Sequence, residues 1–424
     1  MTRYLGGFAI VLLSFYLLPS MVFAADWPQF RGPDAAGRSD DTGLPTTWGA
    51  TNNIVWKTEL PGFGASSPVT FGDKIYVTCY SGYGLEEREP GEMSGLQRHL
   101  LCLNREDGTI VWDAKQPSTH PQQTYRGFIA LHGYVSGTPA VDETGIYVFY
   151  GTTGAAAYGH DGQQRWLTHC GDGTHGFGTA NSPVLYGDLV IINASVECGD
   201  LIALEKKTGK EVWRLGGMDQ SWNTPTLVKT AAGDWELAVN TKGAVIGIDP
   251  ATGEKLWTCE AIDDYICPSI LAVDDVLYAI GGRRNTALAI RSGGRGDVTE
   301  THKLWQINKG SNVSSPVYVD GYLYWANESR GAAYCVDAKT GEVLYEERLD
   351  PNPGRIYASP VAADGKLYYV SRDRGTYVLP AEPSFRQLAH NVIDDDDSIF
   401  NGSPVISQGQ ILLRSDRYLY CIGN

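Results

Sequence analysis

The stretch Ser314 to Glu347, SSPVYVDGYLYWANESRGAAYCVDAKTGEVLYEE, decides the fold. Short runs rich in Val, Tyr and Leu alternate with turn residues, and the spacing predicts strands at Pro316–Val319, Tyr322–Trp325, Ala333–Asp337 and Val343–Glu346. The turns fall at Asp320-Gly321, Glu328 to Gly331 and Lys339 to Gly341. Four strands joined by tight turns make one antiparallel blade.

Versions of this unit recur along the chain. A small residue followed by Pro opens each copy, at Pro68, Pro139, Pro183, Pro225, Pro268, Pro316, Pro360 and Pro404, which predicts eight units. After a long first interval, which marks an insertion in blade 1, the period is about 42 to 48 residues. With four strands per repeat, that period predicts an all-β, eight-bladed β-propeller. The fourth strand usually carries a Trp, at Trp112, Trp166, Trp213, Trp257 and Trp305, with Tyr345 and Phe385 standing in later. The eighth unit stops after three strands. Ile54-Val55-Trp56-Lys57 supplies a fourth ahead of the first Pro, so this N-terminal strand is expected to complete blade 8 and close the ring, leaving no open sheet edge. The expected division is a signal peptide over 1–24, a capping segment over 25–53 and the propeller over 54–424.

Met1 to Ala24 holds one Arg, an apolar run from Phe8 to Leu18 and Val22-Phe23-Ala24 before Ala25, the pattern of a secretory signal. The apolar run is short for a membrane span and no Cys follows it to take a lipid, which predicts a soluble, exported protein of the periplasm or the extracellular space; a monomer is expected. A net charge of −15 argues against nucleic acid as a partner, whose phosphates need clustered cations. Of eight cysteines, Cys102, Cys335 and Cys421 occupy the third-strand position that is Ala203, Gly247 and Ala289 in other units, as small core residues. Among the rest, Cys170–Cys198 or Cys259–Cys267 could pair.

Motifs of catalysis are thin. Gly171 to Gly176 matches G-x-G-x-x-G by letters, but a strand of the next blade follows it where a dinucleotide site needs a helix. Arg295-Gly296-Asp297 sits in an insertion of blade 5, and Asp394 to Asp397 lacks the spaced ligands of a calcium loop. There is no G-x-S-x-G elbow and no H-E-x-x-H, and the eight histidines do not fall at metal-ligand spacing, so neither a catalytic set nor a metal site is predicted.

Antiparallel strand order places each blade-to-blade crossing and each turn between strands two and three at one end of the ring. The crossings there carry Phe63, Tyr134, Phe177, Trp222, Tyr265, Tyr357 and Phe400, and the turns of blades 5 to 8 carry Arg283, Arg330, Arg372 and Arg414. Glu328, Asp373 and Asp416 lie beside these arginines. One reading is a network of blade-to-blade ion pairs; the other is a face that offers stacking surfaces and bidentate donors to a polar or anionic ligand or a partner peptide. Two long connections, Ser81 to Arg98 and Gln116 to Ser136, are further places where function is grafted.

Segments such as Leu204 to Trp213 (LEKKTGKEVW), Ile248 to Trp257 (IDPATGEKLW) and Val336 to Tyr345 (VDAKTGEVLY) resemble the A-x-D-x-x-T-G-x-x-x-W repeat of pyrroloquinoline quinone (PQQ)-type propellers. The likeness runs from about Trp27, where W-P-x-F-R-G-P is similar to the start of exported bacterial PQQ-like proteins, to the C-terminus. That family includes quinoprotein alcohol dehydrogenases and the scaffold lipoprotein of the outer-membrane β-barrel assembly machinery. The resemblance to the dehydrogenases would imply PQQ held between a Trp and adjacent cysteines, with Ca²⁺ on Glu and Asn, yet this sequence has no adjacent cysteines and Glu197, Asn223 and Asp264 do not align to those motifs. The expectation is therefore a non-catalytic exported propeller that binds a protein, peptide or glycan partner, with a PQQ/Ca²⁺ oxidoreductase acting on alcohols or sugars as the alternative. Trp222 discriminates between them, as a cofactor floor in the one and a rim aromatic in the other.

Overall fold

The computed structural model describes residue 2 and residues 26–424, so the expected signal over 1–24, residue 2 apart, lies outside the described residues. Among the described residues, eight antiparallel sheets follow one another along the chain, and no helix is long and apolar enough to cross a membrane. Blade 6 runs Val317–Val319, Tyr322–Ala326, Ala332–Asp337 and Val343–Arg348, within two residues of the expected bounds. Its two middle strands are buried almost throughout while the fourth alternates, because neighbouring blades cover both faces of the middle strands and the outermost strand meets water on one side.

Blade 8 is Val405–Ser407, Gln410–Arg414 and Tyr418–Ile422, completed by Ile54–Glu59. Trp56 pairs with Cys421 and Glu59 with Tyr418, so the first strand of the chain closes the ring on the last. Closure pairs the edge that blade 8 would otherwise leave bare.

The T-G-x-x-x-W repeat has a packing cause. Five of the six fourth-strand Trp residues lie against the turn glycine of the next blade. At Gly209, with φ of +71°, a Cβ would come within 2.5 Å of the Trp166 ring, and Gly108, Gly162, Gly253 and Gly341 meet Trp56, Trp112, Trp213 and Trp305 in the same way. The indole N–H then donates to a carbonyl of that turn, as from Trp166 to Lys206 at 2.9 Å and from Trp56 to Arg105 at 3.0 Å. Trp257 breaks the pattern and donates to the Glu236 carboxylate at 2.8 Å, because the insertion of blade 5 replaces the usual turn. Within that insertion, Gly296–Asp297 adds a fifth strand beside Lys255–Glu260 of blade 4.

The small residue before the marker Pro also has a role. Its N–H donates to the hydroxyl of the equivalent residue one blade on: Ser67 to Thr138, Thr138 to Ser182, Ser182 to Thr224, Thr224 to Ser269, Ser269 to Ser315, Ser315 to Ser359 and Ser359 to Ser403, all at 2.9–3.0 Å. Two sequence expectations are corrected, the first by this ring and the second by the position of a strand. In blade 5 the hydroxyl is Ser269, which follows Pro268, so the true intervals on either side are 45 and 46 residues. In blade 7 the fourth strand is Ala389–Asn391, and Phe385 packs ahead of it against Tyr345.

All eight cysteines are free, so neither expected pair is bonded. Cys102, Cys335 and Cys421 are fully buried in third strands.

Residues 26–44 run along the innermost strands. Trp27 exchanges hydrogen bonds with Thr70 of blade 1, Pro28 accepts from Val141 of blade 2, and Gly37 and Ser39 pair with Ala362 of blade 7. Arg31, buried, donates to the carbonyls of Ala35, Ala36, Ser315 and Pro316, and burial pulls its guanidinium down to about 10. Bonds to four blades plug the channel from the end opposite the crossings.

Candidate functional site

The plug turns the channel into a cup that opens on the crossing face. Its floor is Phe30, its wall is the ring of hydroxyl residues and its mouth is aromatic, with a volume of about 370 Å³. Phe128, 59% exposed, meets Phe177 edge to face at 4.8 Å, and Phe177 in turn meets Tyr265 at 5.2 Å and Trp222 at 5.1 Å. Tyr357 and Arg355 stand on the opposite side, with the Arg355 Nη1 donating to the Tyr357 hydroxyl at 3.2 Å.

The connection Gln116 to Ser136 supplies much of the mouth. Its short 3-10 turn Ile129–Leu131 reaches across the ring, where the Leu131 carbonyl accepts from Arg372 at 2.9 Å and from Asn401 at 2.7 Å. His132 is locked beneath, between the Ser136 hydroxyl at 2.6 Å and the Phe177 carbonyl at 2.7 Å, and burial pushes its imidazole down to about 4. The neutral ring therefore ties this connection to the crossing that carries Phe177.

A wider groove of about 820 Å³ lies beside the cup, and Phe177, Trp222 and Tyr265 divide the two. Arg283 sits on the groove side, paired with Asp264 at 3.3 Å and 4.6 Å from the Tyr265 ring. Glu197 lines the groove at 3% exposure. One of its oxygens accepts from Thr179 while the other has no partner among the described residues, and burial pushes the carboxyl up to about 7.

The eleven residues named from sequence separate into groups. Phe177, Trp222, Tyr265 and Arg283 converge, and Arg372 of blade 7 stacks on neighbouring Tyr357 with the guanidinium 4.7 Å from the ring. Phe63 bridges to Tyr80, Tyr134 is buried against Tyr80, Tyr83 and Tyr125, and Phe400 packs on Tyr420. Arg330 is exposed away from the cup. Arg414 is fully buried, its Nη1 donating to the Ser66 and Thr78 carbonyls at 3.0 and 2.6 Å, so it joins blade 8 to blade 1. Phe30, from the capping segment, and Phe128, from the connection Gln116 to Ser136, complete the cup together with Leu131, Asn312 and Arg355, which sequence did not single out, because only closure of the ring brings these distant positions together.

The quinone sandwich does not fit these residues. Trp222 is 5% exposed, with His175 and Phe177 against its ring at 4.8 and 5.1 Å, so it presents no open face for a cofactor to lie on.

A family model described as "Outer membrane protein assembly factor BamB" matches residues 97–264 and 294–387. No curated protein matches the sequence. Among solved structures the chain is similar to BamB from Moraxella catarrhalis, at 13% identity and a TM-score of 0.59 over 88% of this chain and 99% of that one. It is similar also to a europium-containing methanol dehydrogenase, at 12% and 0.65 over 92% and 89%, and to the computationally designed Ika8 protein, at 12% and 0.60 over 88% and 100%. At such identities the likeness to these structures is one of fold. The family model, which spans more than half of the chain, carries the assignment: this protein belongs to the BamB family of PQQ-like β-propellers.

Proposed function

We propose that the protein is a non-catalytic exported binding module whose cup takes an apolar side chain from an extended segment of a protein partner. The observation that carries this reading is the cup itself. Its mouth is ringed by Phe128, Phe177, Tyr265 and Tyr357, beneath which hydroxyls and the unpartnered Oδ1 of Asn312 offer polar contacts to a backbone. Phe128 does not stand alone but continues through Phe177 into Trp222 and Tyr265, and a contiguous aromatic rim of this kind is what a partner's apolar side chain would cover. The family description, an assembly factor, favours a protein over a glycan. The secretory pattern at 1–24 favours a place outside the cytoplasm, with 25–53 as the cap and 54–424 as the ring.

A photo-reactive residue at position 128 or 357 is expected to cross-link a defined partner in cells, and one at position 212, exposed on an outer strand, is not. Equal cross-linking from all three positions would remove the cup from the interface. Thermal unfolding of the mature protein with PQQ and Ca²⁺ is expected to match that without them. A saturable rise that disappears in Trp222→Ala would replace this reading with the oxidoreductase.

A further inference from the structure

The eight histidines stand apart in sequence, yet folding stacks two of them. His120, in the connection Gln116 to Ser136, and His169, in the crossing from blade 2 to blade 3, lie with ring centroids 4.0 Å apart. Asp172 completes a cluster whose ligand-capable atoms all fall within 4.8 Å of one another. Its Oδ1 is 3.0 Å from His120 Nδ1 and 3.5 Å from His169 Nε2.

From these residues we propose a binding site for a divalent first-row transition ion of the Zn²⁺ class, held by His120 Nδ1, His169 Nε2 and Asp172, with solvent in the fourth position. The first argument is spacing. Zn²⁺ binds imidazole nitrogen and carboxylate oxygen at about 2.0–2.2 Å, so tetrahedral ligand atoms stand roughly 3.3 Å apart. The two distances to Asp172 bracket that edge, and the stacked imidazoles turn toward each other to share the ion.

The second argument is orientation. The His169 Nδ1–H points at the Thr152 carbonyl at 3.1 Å, which leaves Nε2 with its lone pair toward Asp172. The His120 backbone is held too, because Gln122 Nε2 donates to its carbonyl at 3.0 Å and the buried Arg98 fixes the Gln122 oxygen at 2.7 Å. Thr152, which receives His169, also donates to the Pro121 carbonyl at 2.9 Å. Both ligand-bearing segments are therefore fastened to one short turn of blade 2. The third argument is chemistry: two imidazoles and one carboxylate suit Zn²⁺ and its neighbours, whereas Ca²⁺ and Mg²⁺ prefer oxygen sets.

The site would act as a clamp. It joins the connection that spans the cup mouth through Leu131 to the crossing that carries Phe177, so occupancy fixes two parts of the rim relative to each other. Arg126, exposed in the clamped connection, reports on it.

The test uses the full mature chain purified without a histidine tag and stripped with chelator. Equilibrium dialysis against Zn²⁺ is expected to give one bound ion per chain, and Co²⁺ is expected to give the intense visible bands of a four-coordinate site. His120→Ala, His169→Gln and Asp172→Asn each weaken binding at least about tenfold. Zn²⁺ slows tryptic cleavage after Arg126 in the native chain and leaves the rate unchanged in Asp172→Asn. The side chains involved are partly exposed, so thermal unfolding of the stripped variants is expected to match the stripped native chain. Absence of Zn²⁺ binding, binding unaltered by His169→Gln, or a preference for Ca²⁺ would each overturn the proposal.

Discussion

Single buried groups give this protein pH dependences of defined sign. Glu197 has a carboxyl raised from 4.5 to about 7 by burial, so the folded state holds its proton more tightly than the unfolded chain. Its contribution to stability is present below about pH 4.5 and is lost as pH rises through about 7, an effect on the order of 3 kcal/mol. Glu197→Gln keeps the neutral form at every pH. Urea unfolding is therefore expected to find the variant no different from the native chain near pH 4.5 and more stable at pH 8, and an equal difference at both would contradict the assignment. Sequence reading weighed Glu197 only as a ligand that fails to align to the dehydrogenase motifs and could not see its burial, since burial by Thr179 and the Gly151 and Gly173 backbones arises only when blades 2 and 3 pack. The same limit applied to Arg414. Its position in a turn-like repeat suggested a surface donor, whereas the closing of blade 8 onto blade 1 encloses it.

Elements are joined by contacts that each repeat supplies once. Ser315→Ala leaves the buried Ser269 N–H without its acceptor, and is expected to cost about 1–3 kcal/mol by denaturant unfolding. Ser→Ala at an exposed turn provides the neutral control. The connection Gln116 to Ser136 depends instead on one neutral imidazole. His132 is lowered from 6.5 to about 4, so its stabilisation is present above pH 6.5 and is lost as pH falls through 4. Hydrogen exchange in Ile129–Leu131, corrected for the intrinsic rate, is expected to quicken between pH 6.5 and 4 in the native chain and to vary less in His132→Gln. The repeats and their turn chemistry were legible because each is local. The path of this connection across the mouth was not, because it rests on Arg372 and Asn401, more than two hundred residues away.

For the whole molecule, closure is the decisive event. A chain that begins after residue 60 lacks Ile54–Glu59 and with it the partner of Tyr418–Ile422, exposing a bare edge and removing the Trp56 contact with the turn at Gly108. Size-exclusion chromatography is expected to find it aggregated or in edge-paired oligomers, and a monodisperse monomer of native stability would refute the role of the closing strand. The sequence alone determined the number of blades, their strand order and the strand that closes them, because alternation, turn residues and the Gly–Trp spacing act within one repeat or between neighbours. Only the tertiary structure decided which aromatics face the cup and which fill the core, that Phe30 floors the channel, and that His120, His169 and Asp172 meet. The physical reason is that a ring converts positions scattered along the chain into neighbours around one axis, and linear spacing carries no record of that conversion.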